Sequence, residues 1–133
     1  LIVVDSSAVV DLLVDPGARG TAAARHLAGE SLLRAPSLID SEVASVLLRL
    51  ERSGTLPEDK TIRAVTDYRT LPLRRYDHLP LLEHVRQLGS VRTYDAIPVA
   101  LAEGLGAPLL TSGARLARAP GPRCRVISLH DGT

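Results

Sequence analysis

The chain has 133 residues, 45% hydrophobic and 23% charged, with a formal net charge of +1. That is one domain with a single substantial core, expected to span residues 1–133, and it carries no global basic field for drawing in nucleic acid. Phe and Trp are absent and Tyr occurs three times, so the core must be aliphatic and stacking platforms for single-stranded bases are scarce.

In chain order, Leu1–Val4 is a continuous apolar run, suited to a strand buried on both faces. A short helix is expected over Ala8–Val14, stopped by Asp15-Pro16-Gly17, and an Ala-rich helix over Ala18–Ala28. Ser31–Arg34 reads as a second strand ending before Pro36. Ser37–Arg52 has apolar residues at helical spacing (Leu38, Val43, Val46, Leu47, Leu50), with Ser37 and Asp40 resembling a capping box and Gly54 closing it.

Pro57 opens a helix running to about Arg69, and Leu71–Arg74 is a short strand. Helices follow over Leu79–Leu88 and Tyr94–Leu105, the second with Pro98 in its first turns. Leu109–Thr111 reads as a strand, Ala114–Ala119 as a short helix, Arg125–Leu129 as an edge strand, and the tail beyond as loose. Strands alternating with helices predict an α/β fold, a mainly parallel sheet covered on both faces.

Several chemistries are excluded. Cys124 is the only cysteine, so there is no internal disulfide or multi-cysteine zinc site. His26, His78, His84 and His130 show no ligand-pair spacing. No apolar run would span a bilayer and no signal-peptide pattern is visible, so no membrane association and a cytoplasmic location are expected. Of the sixteen cations only Lys60 is a lysine; arginine's planar fork suits phosphate locally.

The carboxylates are more informative. Asp5 ends the first strand, and sites in open α/β sheets gather at the carboxyl ends of strands. Its plain alternative is a cap for the next helix, a role open to Ser7 as well. Glu42 lies in the early turns of a helix, where an acid complements the dipole; Asp40 points to another face. Asp95 stands at a helix start, where it could also be a cap. Together the three acids suit a hard cation, because crowded carboxylates repel without one and oxygen ligands favour Mg²⁺ or Mn²⁺ over zinc.

The ordered set of segments V-V-D-S-S-A-V-V-D-L-L (3–13), A-P-S-L-I-D-S-E-V-A-S-V-L-L-R-L (35–50), T-Y-D-A (93–96) and P-L-L-T-S-G-A-R-L-A-R-A (108–119) resembles the PIN-domain ribonucleases, and among them the VapC toxins. The resemblance implies a three-layer α/β/α sandwich and a Mg²⁺-dependent endoribonuclease leaving a 5′-phosphate and a 3′-hydroxyl. It implies metal ligands Asp5 and Asp95, with Glu42 completing the catalytic acids, and supporting roles for Ser7, Thr111 and Ser112. It also implies a VapB-type antitoxin and a homodimer. Arg115, just past the last of these segments' loops, is the phosphate candidate.

One position departs from the family pattern. Gly113 stands two residues after Thr111, where many members carry a fourth Asp. That departure sustains a non-enzyme alternative, a PIN-like module that binds RNA or antitoxin without cleaving. Two other acid-based chemistries fit poorly. A haloacid-dehalogenase-type phosphatase needs an Asp where Ser7 stands, and a receiver domain needs a late-strand Lys that this chain lacks.

Overall fold

The computed structural model describes residues 1–89 and 91–129. The order is β1 (Val3–Val4), α1 (Ser6–Val14), α2 (Ala18–Leu27), β2 (Leu33–Pro36), α3 (Ile39–Arg52), α4 (Glu58–Thr70), β3 (Leu73–Tyr76), a 3-10 turn (Leu79–Leu81), α5 (Leu82–Leu88), α6 (Thr93–Leu105), β4 (Leu109–Thr111), α7 (Ala114–Arg118) and β5 (Val126–Ser128). All five strands are parallel, in the order β3-β2-β1-β4-β5. His130 and the tail expected after Leu129 lie outside the described residues.

β1 is in the middle because it is apolar on both faces. Ile2 and Val4 pack with α1, α2 and α3, while Val3 packs with α6. The same alternation divides Leu110 from Leu109 on β4. This two-residue period puts helices on both faces, making the three-layer sandwich expected from the sequence. Backbone pairing runs past the short strand: Val3 N–H donates to the Pro108 carbonyl at 3.0 Å and Asp5 N–H to that of Leu110 at 3.2 Å.

The chain leaves β1 for β2 on one side, and leaves β4 for β5 on the other. The sheet therefore changes winding direction between β1 and β4, and a crevice opens at their carboxyl ends. Asp5 and the Thr111-Ser112-Gly113 turn sit on its two lips.

Three expectations need correction. β2 includes Pro36, because the next ladder bond comes from Ser37 N–H, which donates to the Tyr76 carbonyl at 2.9 Å. β3 begins two residues later than expected, because Leu71 still closes α4 through the Tyr68 carbonyl. The start of α3 has no capping box. Leu38 N–H donates instead to His78 Nε2 at 3.1 Å, and Asp40 is held by both Arg75 Nε and Nη2 at 2.7 Å and by the Tyr68 hydroxyl at 2.6 Å. The Arg75 fork holds the Asp40 carboxyl below its usual range.

On the far side of the sheet Glu103 of α6 fastens the β4–β5 connection. It accepts from His84 Nε2 at 2.6 Å, from Cys124 N–H at 3.1 Å and from Arg123 N–H. Burial pushes its pKa up, but these donors outweigh burial and hold the group below its ordinary value. Among the described residues no helix is long and apolar enough to cross a membrane.

Gly20 lets α1 and α2 meet. A Cβ there would stand 1.9 Å from the Asp15 carbonyl oxygen and 2.9 Å from that of Asp11. Both are backbone atoms, so the helices would have to part. Gly20→Ala is expected to cost about 2 kcal/mol or more, in the range of core overpacking. Urea unfolding checks this, and an unchanged midpoint would refute the packing argument.

Candidate active site

The capping role open to Asp5 in the sequence is realised. Asp5 is the N-cap of α1, with Oδ1 accepting from Ala8 N–H at 3.1 Å. The same oxygen accepts from the Ser7 hydroxyl at 2.6 Å, and Oδ2 accepts from the Thr111 hydroxyl. Thr111 is fully buried. Each hydroxyl in turn accepts a backbone N–H from the turn after β4: Ser112 N–H to Ser7 Oγ at 2.9 Å, and Gly113 N–H to Thr111 Oγ1 at 3.0 Å. Two relays therefore run from loop backbone through hydroxyl to carboxylate, and such chains polarise each bond along them.

Burial raises the Asp5 pKa above its ordinary value, although Ser7, Thr111 and Ala8 pull it back; the charge of Asp95 adds to the rise. Glu42, in the first turn of α3, is raised for the same leading reason and then by the charges of Asp5 and Asp95. The three acids are thus near enough to feel one another at one end of the sheet. Asp5 and Glu42 also line one narrow crevice with Ile97 and Pro98 of α6, holding about 10 Å³, roughly one water. The Glu42 backbone N–H donates to the Leu38 carbonyl at 3.1 Å, but its carboxylate has no hydrogen-bond or ion-pair partner among the described residues.

Asp95, in the first turn of α6, is turned toward α7. Its Oδ2 takes both Nε and Nη2 of Arg115 at 3.2 Å. The residue expected to meet phosphate is therefore found on a carboxylate. Ser112 also differs from expectation: its hydroxyl donates to Asp11 of α1, and only its backbone N–H feeds the Asp5 network. The sequence reading gave Asp11 no role. It lies four residues after Ser7, so both project from one face of α1 toward the turn after β4, and that spacing was the available signal. Arg19 holds Asp11 from outside at 3.6 Å.

A divalent ion fits the donor chemistry of this site. The donors are carboxylate oxygens, and two of the acids have raised proton affinity that a cation would relieve. Among the described residues no three acid, histidine or cysteine side chains are gathered into a finished cage; Arg115 already occupies part of the third acid's capacity.

Gly113 is not demanded by its backbone. Its φ is −77° and ψ 112°, an extended geometry open to any residue. A Cβ there would meet Thr111 Oγ1 at 3.3 Å and Leu116 Cβ at 3.9 Å, on the side of the hydroxyl that serves Asp5.

A parallel α/β domain with carboxylates at its switch point is the class that fold and site define. The PIN domain family matches residues 2–122, and the chain belongs to that family. Ribonuclease VapC1 of Mycobacterium tuberculosis is 43% identical over 126 residues, 93% of this chain and 94% of the relative. Among solved structures, PAE2754 from Pyrobaculum aerophilum superposes with a TM-score of 0.69 at 20% identity, over 94% of this chain and 81% of that one. VapBC2 from Rickettsia felis, bound to a DNA fragment from its promoter, gives 0.59 at 14% identity, over 96% and 97%. At these identities the two structures support the fold alone.

Two predictions arise from this geometry. Asp5 and Glu42 bind protons more tightly folded than unfolded. Their contribution to stability is therefore full below the ordinary carboxylate range and is lost as pH rises through their raised values. Asp5→Asn keeps the N-cap and removes this loss, so without metal it should melt a few degrees above the parent at pH 7, the shift that roughly 1 kcal/mol gives in a domain of this size. The difference should shrink toward pH 4; a melting temperature below the parent's at both pH values would contradict it. Gly113→Asp adds a side-chain cap to α7, worth only about 0.3 kcal/mol over glycine, and a charge beside Asp5 that opposes it in the empty site. With metal present attraction wins. The half-saturating Mn²⁺ concentration should fall, and unchanged metal dependence in a folded variant would mean that position 113 does not face the acids.

Proposed function

We propose that this chain is a divalent-metal-dependent endoribonuclease, the toxin of a type II toxin–antitoxin pair. The observation that carries the reading is electrostatic. Asp5, Glu42 and Asp95 come from three distant segments, yet the charge of Asp95 adds to the raised proton affinity of both Asp5 and Glu42 at one end of the sheet, where strand ends gather sites. The ribonuclease name of the VapC1 relative supports the choice of RNA over other phosphodiesters.

Mg²⁺, or Mn²⁺ in its place, would be held by Asp5 and Asp95. Such an ion, when bound, supplies Lewis acidity toward water and toward phosphoryl oxygen. Ser7 and Thr111 fix the Asp5 carboxylate in one orientation, so the ligand does not have to be ordered at the moment of reaction. Glu42, its carboxylate partnerless and with raised proton affinity, orients the attacking water and takes its proton. The water oxygen bonds to phosphorus and the bond to the 3′ oxygen breaks, leaving a 5′-phosphate and, after protonation, a 3′-hydroxyl. Arg115 contributes a cation for the RNA phosphate backbone.

The partners in this reading are a VapB-type antitoxin, RNA and a second copy of the chain, in the cytoplasm. The VapC name of the 43% identical relative supports the first. An antitoxin cation entering the site would satisfy the same carboxylates as the ion and compete with it.

One pair of observations favours a second reading, a binding module without catalysis: Gly113 lacks the fourth carboxylate, and Arg115 sits on Asp95. Incubating a labelled RNA pool with the purified protein across a Mg²⁺ and Mn²⁺ series separates the two. The nuclease reading expects metal-dependent cleavage that EDTA stops. Asp95→Asn should reduce it by about 100-fold or more, above what loss of a group merely supporting a ligand costs. Cleavage by Asp95→Asn at the parent rate would remove Asp95 from the site.

A further inference from the structure

Beside the acidic crevice, a cavity of about 510 Å³ is lined by Val91, Arg92, Asp95, Arg115, Arg118 and Pro120. Its sign is opposite to the crevice's: three guanidinium groups face one carboxylate. All three arginines are exposed, and neither Arg92 nor Arg118 has a carboxylate partner among the described residues. Arg19, Arg63, Arg75 and Arg86 are by contrast all paired with acids elsewhere on the surface.

The third arginine is only loosely committed. Arg115 places Nε and Nη2 on a single Asp95 oxygen rather than spreading its fork across both. Its side chain is 64% exposed, and an ion pair in that setting contributes little and exchanges easily. Asp95 lines this cavity, and its charge reaches the two acids of the crevice. Whatever draws Arg115 into the basic cavity leaves the Asp95 carboxylate free toward the acidic one.

We propose that this cavity binds the RNA phosphate next to the scissile one, and that Arg115 exchanges Asp95 for that phosphate. The inference rests on the nuclease reading above and names its substrate contact. Arg92 and Arg118 hold the backbone phosphate from either side, and Arg115 joins them, its fork matching two phosphate oxygens. The released Asp95 becomes available to the ion. RNA and ion are then coupled through one side chain, each strengthening the other's binding. RNA is favoured over an acidic protein segment because the cavity is lined by Asp95, a metal ligand in the nuclease reading, and a strand crossing that ion carries its next phosphate one nucleotide away.

The test uses the whole chain and two binding measurements that require no catalysis. In EDTA, anisotropy of a labelled single-stranded RNA is followed across a salt series for the parent and for Arg92→Ala, Arg118→Ala and Arg115→Ala. Each variant should bind roughly 3- to 10-fold more weakly, with the salt slope reduced by about 0.7. Without RNA, calorimetric Mn²⁺ titration should give parent-like affinity for Arg92→Ala and Arg118→Ala. For Arg115→Ala it should be tighter, by about 3-fold or more, because the competing cation is gone.

Parent-like RNA affinity in the Arg92 and Arg118 variants would overturn the subsite. Unchanged or weaker Mn²⁺ binding in Arg115→Ala would overturn the exchange. Variants that lose an acidic antitoxin segment while keeping RNA would assign the cavity to the protein partner instead. If the parent cleaves RNA while these variants bind it normally, only this inference fails. If the parent cleaves no RNA at any metal concentration, the nuclease reading fails with it.

Discussion

A carboxylate leaves water only where other donors replace the water it loses, and the arrangement around Asp5 follows from that requirement. The group stands at the end of the central strand, half-buried, and takes one backbone N–H and two hydroxyls. Those hydroxyls come from opposite ends of the sequence, Ser7 from the helix after β1 and Thr111 from the end of β4. Each is itself fed by an N–H of the turn after β4. Position of the turn, seating of α1 and orientation of the acid are thus one hydrogen-bonded unit. Truncating any member to an apolar side chain leaves another buried polar atom without its partner, and that asymmetry keeps the unit together.

The donors do not fully offset burial. Asp5 and Glu42 both end with raised proton affinity, chiefly through burial; the charge of Asp95 adds to both, and that of Asp5 adds to Glu42. A protein gains nothing in stability by placing uncompensated acids together, so the cost is sensible only if something outside the chain is meant to relieve it. The protein's own cation, Arg115, relieves Asp95 alone. The strain that remains is concentrated on the two acids facing the crevice, as expected where function overrides stability.

Most of the architecture was legible in the sequence because it depends on short-range pattern. Four apolar residues in a row forecast the doubly covered β1, and alternating strands and helices forecast the parallel sheet. Misreadings fell where distant partners decide. The α3 start looked like a capping box, but Asp40 went to Arg75 and Tyr68, and His78 filled the place of the cap. At the site, Asp5 and Ser7 could be read from their place after a strand. The destination of Arg115 and the tie between Ser112 and Asp11 could not, because each joins segments that nothing local connects. Gly113 stands where the family pattern has an acid, and its ordinary φ shows that the backbone does not require glycine there.

The bond from Thr111 to Asp5 spans 106 positions of sequence, and β1 lies between β2 and β4. The first strand made is therefore the one whose surroundings are finished last. As the chain leaves the ribosome, β1 can gain β2 early but must wait for residues near 110 before its other edge is covered. Until then Asp5 has neither its second hydroxyl nor its neighbouring turn. Loop closure over that distance is slow compared with local helix formation. Assembly of the acidic centre is thus a late event in synthesis, and a truncated product ending before β4 would have Asp5 without the turn that orients it.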